Sequence, residues 1–234
     1  MAGGHGHSVD DYLEVIYFLA FPIGEYRPAS GTSAIAARVA EMLGVSRASA
    51  GEMLKRLAAD GLVARGAHKE VMLTETGLAR AERVVRKHRI IERFLTDFMG
   101  YTASESHVHA DALGDTFTDE MIDRVNDRLG RPDRCPHGWP IDTTVEQAEN
   151  AALVALADLP PGTQGEIVRL AEHDGDLLHW FYDEGFAPGA RVTLREAQPA
   201  AAQFKVELDG TERAIGERAA LGLYVRPARV HASA

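Results

Sequence analysis

The stretch that decides the fold is residues 33–77, SAIAARVAEMLGVSRASAGEMLKRLAADGLVARGAHKEVMLTETG. Small apolar residues at helical spacing lead to Gly44, and Ser46 then opens a second helical segment. This order of helix, tight turn and helix is the pattern of a helix-turn-helix. The Asp60–Gly61 turn and the two short apolar runs after it predict a two-stranded wing. The stretch is therefore interpreted as a winged helix-turn-helix, a unit that reads DNA.

The side chains expected to face DNA lie around the second helix and on the wing. The first turns of such a helix reach base edges, whereas basic side chains further along suit phosphate contacts. On this basis Ser49 and Glu52 are expected to set base preference. The predicted DNA-binding residues are Thr32, Ser33, Ser46, Arg47, Ser49, Glu52, Lys55, Arg56, Arg65 and Lys69.

The charge of the whole chain hides a local asymmetry. The chain has 234 residues and a formal net charge of −10, which taken alone argues against a nucleic-acid partner. Residues 31–70, however, hold more basic than acidic side chains. A mildly basic segment in an acidic chain suits a DNA-contacting unit attached to a part that collects cations.

Several classes of protein are disfavoured by what the sequence lacks. No apolar run approaches the roughly 20 residues that span a membrane, and the N-terminal residues do not have the pattern of a secretory signal. No metalloprotease motif, nucleophile elbow or glycine-rich phosphate loop is present, so neither an enzyme nor a small-molecule substrate is expected. Cys135, the single cysteine, is interpreted as an inert loop residue in a cytoplasmic protein.

Two pairs of possible metal ligands lie on predicted helices. Asp11 and Glu14 are three residues apart and share one face of a first helix. His88 and Glu92 are four residues apart on a long helix predicted over residues 75–100. Either pair alone is as typical of a solvated helix face as of a binding site.

A third set of possible ligands lies further along the chain. A single helix is predicted from Ser104 to about Leu129, on which His107, Asp111 and Asp115 form a stripe with a spacing of four residues. Carboxylates and imidazoles from three helices can converge on one divalent cation, and mostly oxygen donors favour manganese or iron over zinc or copper.

The longer motifs of the chain, once these residues are in view, resemble those of the diphtheria toxin repressor and manganese transport regulator family. The resemblance covers about residues 9–227. It rests on DDYLEVIY, the winged segment ending in LTETG, RKHRIIERFLTDFMGY, FTDEMIDRV, DRLGRPDRCPHGWPI, LPPGTQGEIVRL and EGFAPGARV.

The resemblance implies a mainly α fold in three domains. An N-terminal winged helix-turn-helix domain is expected over residues 1–75, and a helical metal-binding and dimerisation domain over residues 76–145. A C-terminal SH3-like domain, a small β-barrel, is expected over residues 158–230, where the sequence has short strands and turns. Residues 142–158 are expected to form the linker.

The resemblance also implies which residues bind metal. Asp11, Glu14, His88, Glu92, His107 and Asp111 fall on ligand positions of the family. In the SH3-like domain, Glu172 and Asp176 are the candidates nearest to the ligands that relatives supply. With Asp11 in place of the methionine of iron-type members, manganese(II) is the expected effector and iron(II) a possible substitute.

One position departs from the family pattern. Where relatives have a Glu and a His in succession, this chain has Gly114 and Asp115. Two functions therefore stay open. The first is a metal-dependent regulator of manganese and iron homeostasis that binds a palindromic operator as a homodimer. The alternative is a helix-turn-helix regulator with a vestigial metal site that binds DNA independently of metal.

The expected homodimer has a further basis in the long helix. Its apolar stripe of Ile90, Ile91, Phe94, Leu95 and Phe98 is larger than one short helix needs for its own core. Two DNA-reading units related by a two-fold axis would match the two half-sites of a palindrome.

Overall fold

The structure, a computed structural model, describes residues 7–21, 35–66 and 70–228. Helices predominate as far as Asn150, and most of the strands follow. The elements are α1 (Val9–Ala20), α2 (Ile35–Met42), α3 (Arg47–Ala59), β1 (Val63–Arg65), β2 (Val71–Leu73), α4 (Glu75–Asp97), α5 (Ala103–Leu113), α6 (Asp119–Arg128), α7 (Glu146–Asn150), β3 (Val154–Ala155), β4 (Gln164–Leu170), α8 (Gly175–Asp183), β5 (Arg191–Gln198), β6 (Gln203–Leu208), β7 (Thr211–Gly216), α9 (Glu217–Leu221) and β8 (Leu223–Pro227).

The chain divides into two compact units. Of the described residues, one unit comprises 7–21, 35–66 and 70–86, and the other comprises 87–228. Among the described residues, no helix is long and apolar enough to cross a membrane. The predicted DNA-binding residues Thr32, Ser33 and Lys69 lie outside the described residues.

The N-terminal unit has the predicted helix-turn-helix. Gly44, at φ +63°, takes the left-handed conformation that lets the chain turn between α2 and α3. The Ser46 hydroxyl then accepts a hydrogen bond from the Ser49 N–H at 3.0 Å and caps α3. Ala50, Leu54 and other apolar side chains of α3 are buried in the core of this unit, so the opposite face of the helix is exposed.

The predicted wing is confirmed as the antiparallel pair β1–β2. Thr74 joins it to α4, because its hydroxyl donates to the Gly61 carbonyl at 2.7 Å and accepts from the Gly77 N–H at 3.0 Å. Gly77 is required here, since a Cβ at this position would lie 1.8 Å from the carbonyl oxygen of Leu62. The LTETG motif is therefore the connection that fixes the wing to the long helix.

The single helix predicted from Ser104 to Leu129 is wrong, because α5 ends at Leu113 and α6 starts at Asp119. The Thr116 hydroxyl donates to the Leu113 carbonyl at 2.7 Å, and Thr118 caps α6. Both contacts satisfy helix ends and stabilise the break.

The apolar stripe of α4 has a different role from the predicted one. Ile90, Ile91 and Leu95 are buried in a core with side chains of α5 and α6. Phe98, by contrast, is 60% exposed. Most of the stripe therefore stabilises the unit itself and leaves only its end for another chain.

The C-terminal part of the second unit is a six-stranded antiparallel sheet with the order β3-β8-β4-β5-β6-β7. Its apolar face packs with α8 and α9 in one core around Leu170, Phe181 and Val206. The sheet starts at β3, before the predicted boundary at residue 158, and α7 lies within the predicted linker. The predicted linker is therefore largely regular structure.

Candidate metal centre

The centre of the candidate site is Glu92, a fully buried carboxylate of α4. One of its oxygens, Oε1, lies 2.9 Å from His88 Nε2 and 3.0 Å from His107 Nδ1. The same oxygen lies 3.2 Å from Nδ1 of His137. Three imidazoles from α4, α5 and a loop therefore surround one carboxylate oxygen.

The loop of residues 131–141 supplies two of the site's side chains. Cys135 and His137 lie on it, and the Cys135 sulfur is 3.9 Å from Nδ1 of His137. Single ligand atoms of Glu92, Cys135, His137 and Glu172 all lie within 4.8 Å of one another, and all four residues are buried. A second group with the same property consists of His88, Glu92 and His107.

A buried aromatic ring of the loop, Trp139, contacts two guanidinium groups and helps to hold the loop in place. The Arg89 and Arg169 guanidinium carbons lie 5.4 and 4.8 Å from the Trp139 ring centroid. Arg89 also donates to the Pro140 carbonyl and to Glu146, both at 2.7 Å. Burial acts to lower the pKa of Arg89, but Glu146, Glu172 and Cys135 together outweigh it and raise the pKa above its ordinary value. These contacts fix the loop against α4.

Strand β4 fixes the other side of the loop. The Leu170 N–H donates to the His137 carbonyl at 3.0 Å, and the Trp139 indole N–H donates to the Leu170 carbonyl at 2.9 Å. Gly138 has φ +89°, and a Cβ there would lie 1.9 Å from the Val168 carbonyl oxygen. Because only glycine fits this approach, the loop and the sheet can meet where Glu172 follows β4.

Hydrogen bonding orients the His137 ring toward the other ligand atoms. Its Nε2 lies 2.7 Å from the Ala103 carbonyl, an acceptor that requires a proton on this nitrogen. The other nitrogen, Nδ1, therefore faces Glu92, Cys135 and Glu172. A backbone carbonyl that fixes the tautomer in this way is typical of metal-binding histidines.

The acidic groups of the site are not fully satisfied by the protein. Among the described residues, Oε2 of Glu92 and Oε2 of Glu172 are buried without a hydrogen-bond partner. Glu172 Oε2 is 3.6 Å from Nδ1 of His137, which is too long for a hydrogen bond. Since a buried carboxylate without full compensation is costly, these oxygens fit a bound cation.

The pKa values describe the same balance of charge. Burial alone would raise the pKa of Glu92, but His137 and His88 outweigh it and hold this pKa well below its usual range. Burial would lower the pKa of His137, but Glu92 raises it well above the ordinary value. Burial raises the pKa of the Cys135 thiol to about 11, with a further contribution from Glu92. The imidazoles and the carboxylates of the cluster therefore favour each other's charged forms.

His88 extends the cluster toward the surface. Its Nε2 faces Glu92, while its Nδ1 lies 3.1 Å from Oδ1 of Asp111, an exposed carboxylate on α5. Burial would raise the pKa of Asp111, but the hydrogen bond and the charge of His88 lower it. The predicted residues His88, Glu92, His107 and Asp111 are thus brought together.

Other predicted ligands lie elsewhere. Asp115 lies in the turn after α5 and Asp176 in the first turn of α8, and both are exposed. Neither is in a group of possible ligands among the described residues. Asp115 does not continue the stripe of His107 and Asp111, because the helix that would carry it ends at Leu113.

Asp11 and Glu14 both lie on α1 of the N-terminal unit. The Asp11 carboxylate accepts from the Ser8 N–H at 2.9 Å and from the Ser8 hydroxyl at 3.1 Å. It is also 3.2 Å from Nδ1 of His7. Asp11 therefore completes a capping box that stabilises the start of this helix.

Cys135 and His137 are the two site residues that were not predicted from the sequence. Cys135 was expected to be inert, and it instead lies beside three other possible ligands. The signal in the sequence was the Cys-Pro-His order, two donor types two residues apart. A loop has no periodicity from which their direction could be read, so only the packing of the loop against α4 and β4 reveals it.

The predicted DNA-binding residues that are described lie on the exposed side of the N-terminal unit. Ser46, Arg47, Ser49, Glu52, Lys55, Arg56 and Arg65 are all exposed. Lys55 Nζ lies 2.6 Å from Glu52 Oε1, and Ser46 and Ser49 share a hydrogen bond between their hydroxyl groups at 2.8 Å. This face offers both positive charge and polar side chains to a partner.

Three family models match successive parts of the chain. Residues 6–70 match "Iron dependent repressor, N-terminal DNA binding domain". Residues 74–143 match "Iron dependent repressor, metal binding and dimerisation domain". Residues 154–227 match the FeoA domain.

Curated and solved relatives agree with these matches. The chain is 34% identical to the iron-dependent repressor IdeR of Mycobacterium tuberculosis over 199 residues, 80% of this chain and 83% of the relative. It is 32% identical to the diphtheria toxin repressor of Corynebacterium glutamicum over 201 residues, 82% of this chain and 85% of the relative.

Among solved structures, a manganese-dependent transcriptional repressor in complex with manganese is similar at a TM-score of 0.80 and 29% identity, covering 94% of this chain and 100% of that one. The manganese regulator SloR is similar at a TM-score of 0.78 and 27% identity, covering 95% of this chain and 100% of that one. The chain belongs to the family of metal-dependent transcriptional repressors that includes IdeR and the diphtheria toxin repressor.

Proposed function

We propose that this chain is a transcriptional repressor that binds a palindromic DNA operator as a homodimer when it holds manganese(II) or iron(II). The observation that carries the proposal is the buried cluster around Glu92, in which carboxylates, imidazoles and a thiol lie within reach of one cation. The same chain contains a winged helix-turn-helix, so a bound cation can regulate DNA binding. Two of the relatives named above are metal-dependent repressors by name, one iron-dependent and one manganese-dependent.

The ligands proposed for this centre are Glu92, Cys135, His137 and Glu172. His88 and His107 form the alternative set, and Glu92 belongs to both. A bound divalent cation would supply positive charge to the two buried carboxylates. The protein supplies orientation, because Ala103 fixes the tautomer of His137 and the glycine at 138 admits the loop.

Manganese(II) is proposed as the preferred effector, with iron(II) as a substitute. Carboxylate oxygens from Glu92 and Glu172 suit manganese, and imidazole suits iron as well. The thiol of Cys135 was not expected among the ligands, and it favours iron(II) and zinc(II) more than manganese(II). A comparison of these metals is therefore part of the test.

Asp11 and Glu14 remain proposed as further ligands on the basis of the family pattern alone. They lie on the helix that precedes the DNA-reading segment. If Asp11 or Glu14 binds the metal, metal affinity and DNA affinity are linked. Bound metal then tightens DNA binding, and bound DNA tightens metal binding by the same factor. Asp111, Asp115 and Asp176 are proposed with less support, because all three are exposed.

The proposed domain division follows the expected one: residues 1–75 for DNA, 76–145 for metal and dimerisation, and an SH3-like domain that starts near residue 154 rather than 158. The start of β3 and the FeoA match both support the earlier start. A homodimer is supported by exposed apolar side chains in the second of these domains, which the match describes as a dimerisation domain. These side chains are Phe98, Met99, Val108 and Met121.

Calorimetric titration of the metal-free chain with manganese(II), iron(II) under anaerobic conditions and zinc(II) tests the centre. His137→Ala and Cys135→Ser should each weaken binding at least tenfold if the first ligand set is correct. His109→Ala, which changes an exposed histidine of α5, should leave binding unchanged. If the wild type binds metal and both variants of the buried ligands bind it equally well, the proposed centre is contradicted.

A second candidate function is a regulator with a vestigial metal site, and Gly114 and Asp115 favour it. Gly114 lacks a ligand side chain and Asp115 lies in a turn. In that case the chain would bind its operator equally well in a chelator and in excess metal. The two buried carboxylate oxygens without partners among the described residues speak for the first function.

A further inference from the structure

Helix α3 presents one acidic side chain on the face that is proposed to enter the major groove. Its buried side carries Ala50, Leu54 and Leu57. Its exposed side carries Ser49, Glu52, Lys55 and Arg56. Glu52 is the single acidic residue within Arg47–Ala59, and its side chain is 73% exposed.

An acidic side chain at this place requires a specific partner when DNA binds. The phosphates repel a carboxylate, so an exposed Glu on a DNA-facing helix opposes binding to an arbitrary sequence. A carboxylate that accepts a hydrogen bond from a donor on a base edge offsets this repulsion at one particular sequence. In the major groove such donors are the exocyclic amino groups of cytosine and adenine.

Of these two bases, cytosine fits a carboxylate better. Adenine places the acceptor N7 next to its amino group, which suits an amide with one donor and one acceptor. Cytosine offers its N4 amino group and has no acceptor of its own beside it on that edge, which suits a group that can only accept. Glu accepting from cytosine N4 is accordingly a recognised pairing.

Lys55 holds the carboxylate for this contact. Its ammonium group lies 2.6 Å from Oε1 of Glu52, one helical turn away. This ion pair neutralises the local charge and restrains the side chain through one oxygen, Oε1, and the second carboxylate oxygen is the proposed acceptor for a base. Lys55 thus acts as a positioning residue for Glu52.

We propose that Glu52 determines operator specificity by accepting a hydrogen bond from cytosine N4 in each half-site. This inference rests on the proposed function, since it requires that α3 reads DNA. It predicts that every tightly bound operator has a C·G pair at one fixed position of each half-site.

Selection of duplexes from a random library by the full chain with excess manganese(II) tests the inference. The wild type should select cytosine at one position per half-site. Glu52→Gln should select adenine at that position, because a glutamine side chain pairs with adenine N6 and N7. The ratio of affinities for the two bases should change by on the order of tenfold to a hundredfold.

Glu41→Gln is the matched control, because Glu41 is also exposed in this unit and forms an ion pair with Arg38 three residues away. It should leave the selected sequence unchanged. If Glu52→Gln selects the same sequence as the wild type, or binds all duplexes more tightly without a change of base, Glu52 is no more than an intrahelical partner and the inference is wrong. If the wild type selects no duplex, the proposed function fails together with it.

Discussion

Single residues decide what the buried cluster can bind. Glu92 places one oxygen among three imidazoles, and its other oxygen is buried without a partner among the described residues. His137 contributes a ring whose far nitrogen is tied to a backbone carbonyl. A carboxylate with spare capacity beside an oriented imidazole is a stronger indication of a metal centre than the number of acidic residues around it.

The first prediction concerns His107 of α5. His107→Ala should raise the manganese(II) concentration for half-maximal DNA binding by on the order of tenfold to a hundredfold, since it removes a side chain in contact with Glu92. The measurement is fluorescence anisotropy of a labelled duplex at increasing metal concentration. His109→Ala, two residues along the same helix and exposed, should behave as the wild type. Equal shifts in both variants would show that the effect is general to the helix.

The second prediction concerns Glu149, which is not in the metal cluster. Burial acts to raise its pKa, but hydrogen bonds from Arg134 and Arg169 outweigh burial and lower the pKa to about 2. A pKa that is lower in the folded state gives stability that is present above pH 4.5 and is lost as pH falls toward 2.

Glu149→Gln should therefore destabilise the chain by roughly 2 kcal/mol at pH 7, and the difference from wild type should shrink as the pH falls below about 4. Urea unfolding at a series of pH values measures it. Glu212→Gln, an exposed substitution on β7, is the control and should cost little at any pH. A difference that stays constant from pH 7 to pH 3 would mean that the arginines around Glu149 do not stabilise its ionised form.

At the scale of elements, the loop of residues 131–141 is the part on which the site depends. Gly138 allows it to approach Val168 of β4, at the bulge between Ile167 and Arg169. Gly138→Ala combines a strained backbone with a clash against backbone atoms, so it should destabilise the chain by roughly 3 kcal/mol and weaken metal binding. Thermal unfolding and metal titration measure the two effects.

Gly175→Ala is the control for this prediction. Gly175 starts α8, and an added Cβ there would have no atom within 4 Å. The control should therefore unfold and bind metal like the wild type. A Gly138→Ala variant with unchanged stability would show that the loop can retreat from the sheet without cost.

The wing carries the fourth prediction. Arg65 is exposed on β1, and Arg65→Ala should weaken binding to all duplexes alike. The slope of log affinity against log salt should fall by about one for each phosphate that is no longer neutralised, and so by about two for a homodimer. Arg195→Ala, on the sheet of the other unit, should change neither quantity. An unchanged salt slope for Arg65→Ala would remove the wing from the DNA interface.

The helices and strands show which parts of the structure can be predicted from the sequence. The first helix, the helix-turn-helix and the wing follow from local signals such as the Ser46 cap and the Asp60–Gly61 turn, and the structure confirms them. The sequence does not predict the break between α5 and α6, because the four-residue spacing of His107, Asp111 and Asp115 continues across it. His88, Glu92 and His107 could be predicted from helical faces, whereas Cys135 and His137 depend on loop packing that no local pattern encodes.

At the scale of the whole molecule, one chain contains both a candidate DNA-binding face and a candidate metal centre. The N-terminal unit presents an exposed, partly basic helix face, and the other unit holds a buried acidic cluster. Burying carboxylates without full compensation costs stability, and a divalent cation removes that cost only in the state that binds it. Metal can therefore favour the DNA-binding state only to the extent that its affinity differs between the two states.

The most direct test is the affinity of the wild-type chain for its selected duplex, measured by fluorescence anisotropy in chelator and in excess manganese(II) at one salt concentration. Metal-dependent binding predicts at least a tenfold gain in affinity with manganese(II), within the usual range of coupling between two sites. It also predicts that Glu92→Gln abolishes most of the gain without changing the affinity in chelator. Equal wild-type affinities in chelator and in manganese(II) would contradict metal-dependent DNA binding.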